Sequence, residues 1–292
     1  MVHLTPGNVL FNLQDLRRYN KDDMYSFFGQ PKTEPVRTVS GEPTGPETRR
    51  YIVKPIDFLA SKVNFILPSV SLIDFDLSFL LSKPHNEAPG CPTMYVAPEV
   101  ALGRPAGFAS DVWALGCTIY ELCHAVETFP LGRIHTFKGL FKEITKMIGY
   151  PPQSWGPILF NDFGYPTKDP DEGEPLDEVD DMMSIRELVE MLQDPWPEAS
   201  LNNLDEFPEG FLGIFYKPAA AHAMSKKMGL GTEHITRREA DQLTDLLGRM
   251  FVYEPAKRAR VDEIMDHPWF DFEKLPEGQS IIGLPEDENA GI

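Results

Sequence analysis

The stretch ASDVWALGCTIYELCHAV, residues 109–126, decides the fold class of this chain. Apolar residues occupy all sides of the helix that it predicts, which is typical of a helix at the centre of a domain rather than on its surface. Ser110 and Asp111 stand at its start as a candidate N-cap pair, since short polar side chains accept hydrogen bonds from the first free amides. The stretch therefore predicts a helical domain built around this segment.

Further helices are predicted on the C-terminal side of that stretch. Residues 136–149, TFKGLFKEITKMIG, are amphipathic and end at a glycine that is followed by two prolines. Thr236 and Glu239 predict a capping box in front of ADQLTDLLGRMF. SIRELVEMLQ, residues 184–193, predicts a short helix, and VDEIMDHPWF, residues 261–270, a last one that is ended by a proline.

Short strands are predicted only near the N-terminus. NVLFNL, residues 8–13, and RYIVKPIDFL, residues 50–59, each contain a short apolar strand, and residues 13–29 are a candidate polar helix. Residues 30–50 are rich in Pro, Thr, Gly and Glu and predict an irregular loop. SLIDFDLSFLL, residues 71–81, predicts a buried strand that runs into a loop. The fold class expected is mainly α with a few short N-terminal strands.

The charge of the chain is strongly acidic and unevenly spread. The formal net charge is −18, and residues 162–209 hold sixteen Asp and Glu against two basic residues. Such a field repels nucleic acid and attracts basic partners, although a solvated, partly disordered insertion is the more common explanation of such a charge block. Three cysteines without a C-x-x-C pair, and no long apolar run, favour a reducing cytoplasmic or nuclear location away from membranes.

Several short motifs occur in one order along the chain. They are Leu4-Thr5-Pro6-Gly7-Asn8, Ile73-Asp74-Phe75-Asp76, Ala97-Pro98-Glu99, Asp111-Val112-Trp113-Ala114-Leu115-Gly116 and Pro255-Ala256-Lys257-Arg258. Together they resemble the large C-terminal lobe of eukaryotic protein kinases over nearly the whole chain. The helix at residues 136–149, the long insertion after it and the 66-residue separation of Asn8 and Asp74 resemble the CMGC group and, within it, fungal SR-protein kinases.

The resemblance implies a role for each matched residue. Asn8 and Asp74 would hold the Mg²⁺ ions of ATP, and His3 stands at the position of the catalytic aspartate. Glu99 would pair with Arg258 to tie the activation segment to the lobe. Asp111 would hydrogen-bond the backbone of the catalytic loop. The resemblance implies ATP and Mg²⁺ as cofactors and gives Glu99, Arg258 and Asp111 structural roles.

The resemblance also suggests a domain plan and a function. It assigns residues 1–272 to the kinase lobe, with a spacer-like insertion at 12–70, an acidic insertion at 161–232 and a loose tail at 273–292. A G-x-G-x-x-G loop and a V-A-I-K lysine are absent, so we expect the small lobe to be missing and the chain to be a truncated serine/threonine kinase, inactive alone. Alternatives are a pseudokinase that binds Arg/Ser-rich proteins and a helical scaffold unrelated to kinases.

Overall fold

The computed structural model describes residues 4–41, 44–56, 58, 61, 63, 65–80, 82, 90–124, 128–129, 136–190 and 235–271. The chain divides into two compact units. Residues 10–71 form one, here called the 10–71 unit, and the remaining residues form the main unit.

The 10–71 unit combines short strands with one helix. Its elements are β1 (Val9–Leu13), α1 (Lys21–Phe28), β2 (Thr33–Pro35), β3 (Tyr51–Val53) and β4 (Ile66–Leu72). β1 pairs with β4, and β2 pairs with β3. α1 begins at Lys21 because Asn20 and Asp23 form a capping box, and it ends at Gly29, whose φ of 78° suits a residue without a Cβ. The predicted helix over residues 13–29 is therefore correct only for its second half.

An aromatic cluster forms the core of the 10–71 unit. Phe65 is fully buried. The rings of Tyr19, Phe27, Phe28 and Phe58 all lie within 6.5 Å of it, centroid to centroid, mostly edge to face. Edge-to-face packing is the arrangement that aromatic quadrupoles favour. These residues come from α1 and from the segments before and after it.

Two predictions for residues 30–81 are wrong, one of an irregular loop and one of a buried strand. Residues 30–50 are not wholly irregular, because β2 lies within them and pairs with the distant β3. The buried strand predicted within residues 71–81 overlaps only the end of β4, and Val70 and Leu72 of β4 are 53% and 46% exposed, so this strand is not buried. A short apolar run cannot by itself distinguish a buried strand from one in a two-stranded sheet whose faces meet solvent.

The main unit is helical. Its helices and strands are α2 (Pro98–Ala101), α3 (Phe108–His124), α4 (Phe137–Ile148), β5 (Leu159–Phe160), β6 (Pro166–Thr167), β7 (Glu174–Pro175), α5 (Ile185–Glu190), α6 (Arg237–Met250) and α7 (Val261–Met265). β5 is the central strand between β6 and β7, and this small sheet, which begins just before the acidic stretch, was not predicted from the local sequence. None of the described helices is long and apolar enough to cross a membrane.

α3 lies at the centre of this unit, as its apolar composition predicted. Trp113 is fully buried, stacked on Phe129 at 5.6 Å and edge-on to Phe251 at 5.1 Å between ring centroids. The predicted N-cap is wrong, because the helix begins at Phe108 and places Ser110 and Asp111 inside its first turn. The amides of Ser110 and Asp111 both donate to the Gly107 carbonyl, so the first helical turn begins before these two residues.

Local capping signals located the other helix boundaries well. Thr136 accepts a hydrogen bond from the Gly139 amide at the start of α4, which ends at Gly149 with φ 82°. At the start of α6, Thr236 Oγ1 accepts a hydrogen bond from the Glu239 amide, which is the Thr236 side-chain bond of the predicted capping box. α7 ends before Pro268, as the sequence predicted. The tail at 273–292 lies outside the described residues.

Candidate active site

Asn8 and Asp74 meet in space although 66 residues separate them. Pro6–Asn8 form one turn of 3₁₀ helix directly before β1, and the Ile73 amide donates to the Asn8 carbonyl at 3.0 Å just after β4. This backbone bond brings the two side chains together, and Asn8 Nδ2 donates to Asp74 Oδ2 at 3.3 Å. The pairing of β1 with β4 thus builds a site that carries one amide and one carboxylate.

The backbone of Asp74 is in the left-handed region, with φ 68°. Asp tolerates this region better than most residues, but it remains less favourable for any residue with a Cβ. Strained backbone persists where the surroundings over-determine it, and such positions concentrate at functional sites. The conformation of Asp74 is therefore consistent with a carboxylate held for binding rather than for packing.

The chemistry of this pair fits a magnesium ion shared with a phosphate ligand. Both side chains offer hard oxygen donors, which Mg²⁺ prefers. Within the described residues no group of three His, Cys, Asp or Glu could enclose a metal ion. Mg²⁺ commonly takes only one or two protein ligands and completes its shell with substrate phosphates and water. Asn8 and Asp74 fit that partial type of site.

The segment before Asn8 contacts α3 through Leu4. Thr118 Oγ1 lies 3.1 Å from the Leu4 carbonyl oxygen and 2.9 Å from that of Ala114, one turn back in its own helix, and its single hydrogen is shared between the two. Thr118 was not predicted from the sequence, although a lone threonine in an apolar central helix was the available signal. His3, which the resemblance places at the position of the catalytic aspartate, lies outside the described residues.

Asp111 lies half-buried in the first turn of α3. Its charge adds to the effect of burial on Cys91, and together they raise the pKa of that thiol to about 11. Asp111 is thus on the same helix as Thr118, two turns nearer its start.

A buried ion pair joins Glu99 to Arg258. Arg258 donates to both carboxylate oxygens of Glu99, at 2.7 and 2.9 Å, with the two side chains 0% and 3% exposed. The guanidinium also donates to the carbonyls of Ala109, Val252 and Tyr253. Fork-to-fork pairs with further hydrogen bonds are the arrangement in which a buried charge pair is tolerated. The pair expected by resemblance is present.

Ser110 completes this network, a role different from the helix cap that the sequence predicted for it. Its hydroxyl donates to Glu99 Oε1 at 3.0 Å and accepts from the Gly107 amide at 3.2 Å. The polar residue that the sequence suggested as a helix cap therefore serves the carboxylate of the neighbouring helix α2 instead.

The segment at residues 93–99, which contains both Tyr95 and Glu99, makes a second contact through Tyr95 and Glu121. The Tyr95 hydroxyl donates to the Glu121 carboxylate, and burial raises the pKa of Glu121 while this hydrogen bond opposes the rise. Tyr95 and Glu99 are only four residues apart, so α3 and the C-terminal part of the chain hold the 93–99 segment at both ends. The candidate site thus consists of the Asn8–Asp74 pair and an anchored segment at residues 93–99.

An open pocket of about 640 Å³ lies at the start of α4. Its charged lining consists of Lys138, Lys142, Asp162, Glu174 and Asp177. Lys138 Nζ lies 3.5 Å from Glu174 Oε2 and 3.7 Å from Asp177 Oδ1. The acidic stretch therefore brings three carboxylates to one pocket, two of them partly balanced by a lysine.

Residues 53–270 match the family model of the protein kinase domain, and the chain belongs to this family. The match includes Asp74, Glu99, Asp111 and Arg258, while Asn8 lies before it. Members of the family use ATP and Mg²⁺ in phosphoryl transfer, which agrees with the oxygen ligands at this site.

Among curated proteins, the chain is similar to a probable cyclin-dependent kinase 8 of Dictyostelium discoideum, with 29% identity over 229 residues, which is 77% of this chain and 48% of that protein. It is also similar to the serine/threonine-protein kinase SKY1 of Saccharomyces cerevisiae, with 26% identity over 204 residues, which is 68% of this chain and 21% of that protein. The match thus spans about half the length of the first relative and about a fifth of the second.

Proposed function

We propose that this chain contains the large, C-terminal lobe of a serine/threonine protein kinase resembling the SR-protein kinases. The contact between Asn8 and Asp74 carries the proposal, because it joins the two ligand types of a kinase magnesium site across 66 residues. The similarity to the serine/threonine-protein kinase SKY1 and to a probable cyclin-dependent kinase 8 supports the same assignment.

Each part of the site has a role in this proposal. Mg²⁺-ATP, when bound, supplies the phosphoryl group that kinases transfer. The Asn8 amide oxygen and the Asp74 carboxylate would hold the metal. The Glu99–Arg258 pair and the Tyr95–Glu121 bond keep the 93–99 segment in place, so that a protein substrate would meet a rigid surface.

Two substitutions argue that the chain does not transfer phosphate by itself. His3 stands where the family has the aspartate that accepts the substrate proton, and an imidazole cannot act as an anionic acceptor in the same way. Asp76 stands where the D-F-G motif has glycine, which removes backbone freedom and adds a negative charge near the phosphates. We therefore infer a kinase lobe whose catalytic constellation is incomplete.

Transfer of phosphate from radiolabelled ATP to an Arg/Ser-rich peptide tests this proposal. The expected result is no transfer above that of the Asp74→Asn variant. His3→Asp alone should not restore transfer, because Asp76 remains next to the phosphates. Turnover by the unaltered chain that disappears in Asp74→Asn would show that the catalytic constellation is complete after all.

A second candidate function is a pseudokinase that binds basic, Arg/Ser-rich proteins. Residues 162–190 carry eleven acidic residues against Lys168 and Arg186, and part of them line the pocket beside α4. Binding of an Arg/Ser-rich peptide should then weaken with added salt and in Glu174→Lys. Glu47→Lys, an exposed charge reversal in the 10–71 unit, is the matched control. Equal loss in both variants would indicate only a general effect of net charge.

A further inference from the structure

β2 and β3 form a ladder of two three-residue strands whose side chains are exposed on both faces. Tyr51, Ile52 and Val53 are 57%, 55% and 54% exposed, and β2 is exposed throughout. Within the described part of the chain, no further strand joins this sheet. A two-stranded ladder is marginally stable in water on its own, and a third strand or a covering layer is what usually stabilises it.

The hydrogen-bond register shows which edge can accept a third strand. The Lys54 amide donates to the Lys32 carbonyl at 2.9 Å, and the Val36 amide donates to the Arg50 carbonyl at 3.0 Å. Bonded pairs alternate in an antiparallel ladder, so residues 50, 52 and 54 of this strand bond inward. The amides and carbonyls of Tyr51 and Val53 therefore point away from β2.

The two outer edges of the ladder differ. On β2 the outward-pointing residues are Thr33 and Pro35, and proline has no amide hydrogen to donate, which blunts this edge. The outer edge of β3 carries two donors and two acceptors at the spacing of a regular strand. Only β3 is thus ready to accept another strand.

The charges beside β3 indicate the kind of strand that fits. Residues 30–56 hold five basic and three acidic residues, a positive region in a chain of net charge −18. Arg50 and Lys54 lie on the same face of the ladder as Ile52, one on each side of it. Lys54 already pairs with Glu34 at 2.7 Å. A strand added here meets an apolar centre with a basic residue at each end.

A second copy of this chain does not fit the same edge. Antiparallel self-pairing through Tyr51 and Val53 would centre on Ile52 and place Arg50 opposite Lys54 of the other copy. Like charges directly opposite each other on neighbouring strands are destabilising. The edge therefore favours a different partner with acidic residues at those positions.

We propose that the outer edge of β3 binds an extended segment of a partner protein as a third strand, the segment having three consecutive apolar residues flanked on both sides by Asp or Glu. Its two acidic side chains face Arg50 and Lys54, its central apolar residue faces Ile52, and the other two face Tyr51 and Val53. Main-chain hydrogen bonds supply the affinity and the side-chain pattern the specificity, as in other cases of strand addition. This site is separate from the proposed kinase function and does not depend on it.

Fluorescence anisotropy of a labelled, end-capped peptide Gly-Glu-Val-Val-Val-Glu-Gly with the full chain tests the proposal. The expected result is saturable binding that weakens about fivefold in Val53→Pro, because that change removes one outward amide and leaves the bonds to β2 intact. Arg50→Glu should weaken binding by at least as much. The same peptide with Lys in place of Glu should not bind at this edge.

Thr33→Pro is the matched control, since it removes an outward amide from the opposite edge and should leave binding unchanged. Circular dichroism and thermal unfolding confirm that each variant is folded before it is compared. Absence of binding at millimolar peptide, equal binding of the Lys peptide, or equal losses in Val53→Pro and Thr33→Pro would each overturn the proposal. Self-association of the full chain that is lost in Val53→Pro would do so as well, because it would make a second copy the occupant.

Discussion

Arg258 donates two parallel hydrogen bonds to Glu99 across 159 residues of sequence, and both side chains are buried. The same guanidinium lies 5.2 Å from the centre of the Trp113 ring, so the ion pair rests on the core of α3. One contact thereby joins α2, the central helix and the C-terminal part of the chain. Its energetic contribution is asymmetric, because a buried charge costs most when its partner is removed.

Replacing only Arg258 or only Glu99 should therefore lower the free energy of unfolding far more than replacing both residues. Arg258→Met leaves the Glu99 carboxylate buried and unpaired, and we expect a loss of about 3–5 kcal/mol in the free energy of unfolding. Arg258→Met combined with Glu99→Leu should recover most of that loss. Urea unfolding followed by tryptophan fluorescence measures it, since every tryptophan lies outside the 10–71 unit. A double variant as unstable as the single one would contradict the explanation.

The Asn8–Asp74 pair should bind a divalent ion weakly. We expect Mn²⁺, used as a paramagnetic substitute for Mg²⁺, to broaden the side-chain amide resonances of Asn8 at millimolar concentration. Asp74→Ala should weaken this effect by about tenfold or more, because it removes the charged ligand. Asp22→Ala, a carboxylate lost from α1, is the control. Equal broadening in the wild-type chain and Asp74→Ala would exclude these residues as metal ligands.

Two glycines in helices should respond to alanine with opposite signs. A Cβ at Gly116 in α3 would lie 2.9 Å from Phe251 Cε1, so Gly116→Ala should destabilise the chain by about 1–3 kcal/mol through overpacking. Gly248→Ala in α6 meets no atom within 4 Å and should stabilise by about 0.5–1 kcal/mol, because alanine favours helix. Thermal unfolding of the two variants measures both. A stable Gly116→Ala variant would mean that α3 and Phe251 are less closely packed than described.

Asp245 should make stability depend on pH in the acid range. The hydrogen bond from His267 Nε2 at 2.9 Å, helped by Arg249, lowers the pKa of this carboxyl. Because the folded-state pKa is the lower one, the stabilisation is present above the unfolded pKa of about 4 and is lost as the pH falls through the folded pKa. Asp245 is 53% exposed, so the effect should stay below about 1 kcal/mol.

The Asp245→Asn variant tests this dependence. It should be slightly less stable than the parent chain at neutral pH and equal to it below the folded pKa. Urea unfolding at a series of pH values measures the difference. A difference that grows as the pH falls would have the wrong sign and would contradict the assignment.

The sequence was sufficient for features that depend on neighbouring residues. The ends of α4 are set by Thr136 and Gly149, and the start of α6 is set by Thr236. These signals are local because a cap acts on amides and carbonyls only a few residues away. The apolar composition of residues 109–126 predicted a central helix correctly. The order of the short motifs was enough to suggest the protein kinase family, to which the chain belongs.

Other features were decided only by the tertiary structure. Nothing local marks Thr33–Pro35 as a strand, since it becomes one by pairing with Tyr51–Val53. The same holds for the two-residue strands β5, β6 and β7, and for the exposure of β4. Ser110 looked like a helix cap, yet it donates to Glu99, because the packing of α2 against α3 places that carboxylate nearby.

The site shows the same division between local and long-range causes. The sequence determined which residue types were available, namely the amide of Asn8, the carboxylates of Asp74 and Glu99 and the guanidinium of Arg258. Only the folded chain decided that Asn8 reaches Asp74, that Glu99 reaches Arg258, and that Thr118 holds the Leu4 carbonyl. Local propensities act over a few residues, whereas these contacts depend on strand pairing and helix packing across 66 to 159 positions.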